Sequence, residues 1–90
     1  MDAPRITVYT KQSCPYCVRA KHLLTRKGIA FEEISVEGND ALRAWLVERS
    51  GQRTVPQIFA GERSLGGYSD LAALDAEGRL DPILRGDPEI

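Results

Sequence analysis

Between Arg5 and Thr10 the chain sets Ile6 and Val8 on one side against Thr7 and Tyr9 on the other, in a run rich in β-branched residues, and this predicts a first strand. From Pro15 to Lys27 the period lengthens. Cys17, Ala20, Leu23 and Leu24 recur at helical spacing, Arg19, Lys21, Arg26 and Lys27 fall elsewhere, and Gly28 supplies the stop. Phe31 to Val36 reads as a second strand, broken by Gly38 and Asn39. Asp40 to Ser50 reads as a helix whose Leu42, Trp45 and Leu46 point to a core, ended by Gly51. Two short strands, Gln57 to Ala60 and Arg63 to Leu65, join across Gly61-Glu62 as an antiparallel pair, with glycine in the first central place of the turn. After Gly66-Gly67 come a helix from Ser69 to Ala76, a break at Gly78 and a shorter helix from Arg79 to Leu84, with a frayed tail over residues 86–90. The order βαβ then ββα predicts an α/β fold: one domain over residues 1–90, with a central four-stranded mixed sheet and helices on both faces.

Composition narrows the function. Ninety residues can bury about 60% of their unfolded surface, enough for a small core without staples. Twelve Lys and Arg against 13 Asp and Glu leave a net charge of −1, which offers no global field to draw nucleic acid or an anionic membrane. The N-terminal residues Met1 to Arg5 carry no apolar leader and no stretch approaches 18 apolar residues, so a cytoplasmic location is expected.

The candidate chemistry lies in Cys14-Pro15-Tyr16-Cys17, which holds both cysteines of the chain. Residues three apart on a helix lie roughly 5 to 6 Å apart, inside the range a disulfide needs. A structural zinc site wants four ligands, and beyond these cysteines the chain has one histidine, His22, so no metal is expected. Covalent haem attachment would need histidine where Val18 stands. A static staple across so short a loop gains little entropy, which leaves reversible thiol–disulfide exchange. Cys14 falls at the helix N-cap, where orphan N–H groups and the helix dipole favour an anion, and Pro15 suits the first helical position. Cys14 is therefore the expected nucleophile, with a thiol acidity well above that of free cysteine. Cys17, one turn inward on the stripe of Ala20 and Leu24, is the expected resolving thiol.

Other residues admit two readings. Pro56 fits either a cis turn or an ordinary trans proline opening an edge strand at Gln57. Gly66-Gly67 before Ser69 and Asp70 fits either a helix cap or a small anion site, where glycines allow close approach and helix N–H groups bind a carboxylate. Lys11 is a surface cation or a partner of the site. The Arg19, Lys21, Arg26 and Lys27 cluster reads as a solvated face that, near the site, would guide acidic partners.

Thr10-Lys11 leading into Cys14-Pro15-Tyr16-Cys17, then Thr54-Val55-Pro56, Gly66-Gly67 and Ser69-Asp70, together resemble the dithiol CPYC branch of the glutaredoxin family, across almost the whole chain. The resemblance implies a thioredoxin fold, a cis Pro56 facing the nucleophile, and glutathione as reducing co-substrate with no tightly bound cofactor. It places the γ-glutamyl carboxylate of glutathione on the backbone of Ser69 and Asp70 beside Gly67, its ammonium on the Asp70 side chain, and its middle along Thr54 and Val55. Lys11, helped by Arg43, takes the glycyl carboxylate, and Tyr16 packs on the ligand. It also implies a one-thiol route in which Cys14 exchanges glutathione alone, and a monomer acting on disulfide-bonded or glutathionylated proteins. Two alternatives come with the family: a glutathione-ligated iron–sulfur carrier, and a redoxin reduced by thioredoxin reductase.

Overall fold

A computed structural model describes residues 3–86 and contains the expected elements in the expected order. They are β1 (Ile6–Thr10), α1 (Pro15–Arg26), β2 (Glu32–Ser35), α2 (Asp40–Ser50), β3 (Gln57–Ala60), β4 (Arg63–Gly66), α3 (Tyr68–Ala76) and α4 (Leu80–Arg85). The sheet order is β2-β1-β3-β4. The α1 crossover makes β1 and β2 parallel, while the two-residue turn at Gly61-Glu62 makes β3 and β4 antiparallel, with Ala60 opposite Arg63. Gly61 has φ 61°, the left-handed value that such a hairpin turn asks of its first central residue.

Alternation along the inner strands splits the interior in two. Ile6, Val8, Ile58 and Ala60 face a cluster that includes Ala20, Leu23 and Leu24 of α1, Leu71 of α3, and Leu80, Ile83 and Leu84 of α4. Tyr9 and Phe59 point the other way, against Val36 and Leu46 under α2. All five residues of β1 are buried because helices cover both of its faces.

Four expectations shift. Trp45 is not core: it is 37% exposed, at the rim where a single helix caps that face, stacked on Phe59 with ring centroids 5.8 Å apart. β3 is an inner strand rather than an edge, because β4 pairs on its far side. The third helix begins at Tyr68 with Gly67 as N-cap, one residue before the expected start, so Ser69 is not the cap. Arg85 closes α4, capped by left-handed Gly86, and residues 87–90 of the expected tail lie outside the described residues.

Ion pairs tie α1 to its surroundings. Lys21 Nζ lies 3.1 Å from Glu33 Oε2 on β2, and Lys27 pairs with Asp75 of α3 and Asp81 of α4. The Lys21 ammonium, followed by the Thr10 hydroxyl, holds the Glu33 carboxyl below its ordinary value. Asp75 and then Asp81 hold Lys27 above its own. Among the described residues no helix is long and apolar enough to cross a membrane.

Candidate active site

Between β1 and α1 the chain turns through Lys11, Gln12 and Ser13, the last at φ 58°. This delivers Cys14 in an extended conformation as the N-cap of α1, with Pro15 as the first helical residue. The Cys17 backbone N–H donates to Cys14 Sγ over 3.2 Å, so the sulfur takes the capping role that a serine or aspartate oxygen usually plays. The positive end of the α1 dipole therefore faces this atom. Cys14 and Cys17 form a disulfide with Cα atoms 5.2 Å apart. Cys14 is 9% exposed and Cys17 2%, the outer and inner placement expected of an attacking and a resolving sulfur. Tyr16, 54% exposed, stands beside them under the Arg19 guanidinium.

Facing Cys14 is the loop before β3. The Val55–Pro56 peptide bond is cis, as the resemblance implies, and the Val55 carbonyl oxygen lies 3.7 Å from Cys14 Sγ. Two depressions meet along Thr54 and Val55. The first is lined by Lys11, Arg43, Gln52 and Arg53 over a floor of Val36 and Leu46. Its lining holds cations and no carboxylate, a local field suited to an anionic group. Arg43 is anchored there by its Nε–H, which donates to the Val36 carbonyl at 3.2 Å.

The second depression runs from Tyr16 past Pro56 to Gly67, Tyr68, Ser69 and Asp70. Its far wall is the start of α3. A Cβ at Gly67 would stand 3.3 Å from the Pro56 carbonyl oxygen, so the missing side chain keeps the passage open. Gly66 holds φ 90°, and a Cβ there would run into the Asp70 carboxylate. Asp70 Oδ2 accepts from the Gly67 N–H over 3.0 Å, the N3 half of a capping box. The capping reading of Asp70 thus holds, and the carboxylate still borders the groove.

All the residues singled out from sequence, Lys11, Cys14, Pro15, Tyr16, Cys17, Arg43, Thr54, Val55, Pro56, Gly67, Ser69 and Asp70, line these two depressions or the adjoining surface around Cys14 and Cys17. Sequence reasoning missed four neighbours. Arg53 is the third cation of the first depression, and its place directly before Thr54 was the available signal. Tyr68 faces Tyr16 with ring centroids 6.2 Å apart. Gln57 and Gln52 form a strut. Gln57, with no exposed surface, donates from Nε2 to Gln52 Oε1 and to the Thr54 carbonyl, each at 2.9 Å, and Gln52 reaches Asp70 Oδ2 at 3.4 Å. The strut spans the groove from the cis-proline loop to the start of α3. No cluster of three or more His, Cys, Asp or Glu suited to a metal occurs among the described residues.

Comparison with known proteins bears on the same residues. A sequence model of the glutaredoxin family matches residues 6–65, from β1 into β4. Glutaredoxin 3 of Escherichia coli K12 is 52% identical over 80 residues, covering 89% of this chain and 96% of that protein. A glutaredoxin of Pseudomonas aeruginosa is 51% identical over 81 residues, covering 90% and 96%. The solution structure of glutaredoxin from Brucella melitensis superimposes with a TM-score of 0.87 at 47% identity, covering 100% of this chain and 98% of that one. The crystal structure of a buckwheat glutaredoxin–glutathione complex does so with 0.84 at 33% identity, covering 90% and 76%. A helix-capping cysteine pair, set on a thioredoxin fold opposite a cis-proline, is the apparatus of a thiol–disulfide oxidoreductase, and with these matches the chain belongs to the glutaredoxin family.

Proposed function

We propose that this protein reduces protein disulfides and protein–glutathione mixed disulfides in the cytoplasm, as a monomer, with glutathione as electron donor. One observation carries the reading. The capped sulfur of Cys14 lies 3.7 Å from the carbonyl of Val55, where two grooves meet, one lined by Lys11, Arg43 and Arg53, the other ending at Asp70 and the start of α3. Glutathione has a lone carboxylate at one end and a carboxylate with an ammonium at the other, which matches this polarity. The glycyl carboxylate goes to the cations, the γ-glutamyl carboxylate to the N–H groups opening α3, the ammonium to Asp70, and the cysteinyl backbone to Val55. The buckwheat glutaredoxin solved with glutathione supports the choice of ligand.

In the one-thiol cycle the Cys14 thiolate attacks the glutathione sulfur of a mixed disulfide. A Cys14–glutathione disulfide forms and the protein leaves as a thiolate, which takes a proton from solvent. A second glutathione thiolate then attacks the bound glutathione sulfur, releasing oxidised glutathione and regenerating the Cys14 thiolate. With an intramolecular protein disulfide, Cys14 forms a mixed disulfide with one substrate sulfur. Cys17 then loses its proton and attacks Cys14 Sγ, expelling the second substrate thiolate and closing the Cys14–Cys17 disulfide. Two glutathione molecules reopen it.

The test is glutathione-dependent turnover of a glutathionylated peptide. Cys14→Ser is expected to abolish it and Cys17→Ser to retain most of it, whereas reduction of a protein disulfide should need both cysteines. Equal loss in the two variants on the glutathionylated peptide would contradict the one-thiol route.

A further inference from the structure

We infer that the open side of α1 is a docking groove for an acidic, extended segment of the protein undergoing exchange, an inference that rests on the oxidoreductase function proposed above. Tyr16, Arg19, His22 and Arg26 follow at intervals of three or four residues and so share one stripe of the helix. The stripe starts inside the CPYC motif. Arg19 sits over the Tyr16 ring, 5.2 Å from its centroid, and Tyr68 forms the facing wall. Arg19, His22, Thr25, Arg26 and Tyr68 line one depression continuous with that pair of rings.

The pairing of charges sets this stripe apart from the other cations of α1 and its C-cap. Lys21 is engaged by Glu33, and Lys27 by Asp75 and Asp81. Among the described residues no carboxylate pairs with Arg19, His22 or Arg26, and the depression has no acidic lining. Against a chain net charge of −1 this is a local positive field that begins beside the nucleophile.

Spacing narrows the occupant. Seven residues of helix separate the arginines, a rise of about 10 Å. Three residues of extended peptide cover about the same length. A strand-like segment with two carboxylates three positions apart would meet both guanidinium groups while its backbone lies along Tyr68. Two cations over that length are too few for a nucleic acid backbone, where specific binders engage roughly six to ten phosphates.

Two matched peptides test this, one with Glu at two positions three apart beside its cysteine, the other with Gln there. In unreactive form, with Ser for Cys, they are titrated into the protein and followed by backbone amide NMR. The Glu peptide is expected to bind roughly tenfold more tightly at low salt, with shifts along residues 16–26 and at Tyr68, and the preference should fade at high salt. It should vanish in the Arg19→Gln/Arg26→Gln double variant and in Arg26→Glu. Equal binding of both peptides to the unaltered protein, or a preference that survives the double variant, would overturn the docking groove. In glutathionylated form the same peptides should show a matching difference in KM, while Arg26→Glu leaves turnover of glutathionylated free cysteine unchanged. Failure of all turnover with binding intact would count against the glutathione reading and leave the groove standing.

Discussion

At the scale of single residues, the site depends on side chains that hold other groups in place. Gln57 is the clearest case, since its buried amide fastens both Gln52 and the Thr54 carbonyl. Its own Oε1 has no partner, so replacement by Leu removes an unsatisfied acceptor along with two donors. The net cost in stability is expected to be modest, about 1 kcal/mol by chemical denaturation. The larger effect should be kinetic: KM for glutathione rises several-fold while kcat is retained, because the loop and Asp70 lose their brace. An unchanged KM would show that the strut has no positioning role. Gly66→Ala combines a left-handed φ of 90° with a Cβ that collides with Asp70. A loss of roughly 1–3 kcal/mol is expected, with the Gly67 N–H left uncapped.

The role of Cys14 could be read from its place at a helix start, whereas Pro56 and Asp70 each admitted two readings until the family resemblance chose between them. Gln52, Gln57 and Tyr68 could not be read in either way. Their roles come from contacts between α3, β3 and the loop before it, and nothing local in the sequence distinguishes a buried glutamine of a strand from a solvated one. Trp45 fails for a related reason. Its helical spacing with Leu42 and Leu46 marks the right side of α2 but not how far the sheet extends beneath it.

Among the elements, α1 carries most of the organisation. Its N-terminus holds Cys14, its inner stripe fills the larger cluster, and its polar side is pinned at Lys21 and Lys27. Element types and order followed from apolar spacing, clearest in α1, and from the glycines found in every turn but the one between β1 and α1, where Lys11, Gln12 and Ser13 make the turn. Boundaries moved where capping decided them, as at Tyr68, where Gly67 and Asp70 together start the helix one residue early. The Lys21–Glu33 pair gives a pH signature. Because the folded value of Glu33 is depressed, its contribution is present above the unfolded value near 4.5 and is lost as pH falls below it. With side chains 29% and 43% exposed, the pair is worth at most about 0.5 kcal/mol. Lys21→Met should therefore reduce stability slightly at pH 7, with a deficit that shrinks as pH falls below the unfolded value and through the depressed folded one. A deficit that does not change with pH would mean that packing, not charge, is responsible. The raised Lys27 works in the opposite direction, its contribution fading only as pH climbs through 10.5 and above.

Across the whole molecule, two apolar clusters share one sheet. Trp45 reports on the cluster under α2, while most helical signal comes from the other face. Since β1 and β3 belong to both, unfolding should be cooperative, and tryptophan fluorescence and far-ultraviolet circular dichroism should give coincident denaturant midpoints. Separate midpoints would show that the α2 face melts by itself.

The proposed function turns on the acidity of the Cys14 thiol in the reduced protein, because the Cys17 N–H and the start of α1 are placed where they would stabilise a sulfur anion. The direct measurement is the rate of iodoacetamide alkylation at Cys14 as a function of pH, made on the Cys17→Ser variant so that one thiol reports. The rate should already be near its plateau at pH 7, with its midpoint well under the value of about 8.5 for a free thiol. A rate that stays low at neutral pH and climbs only through pH 8.5 and beyond would contradict the account.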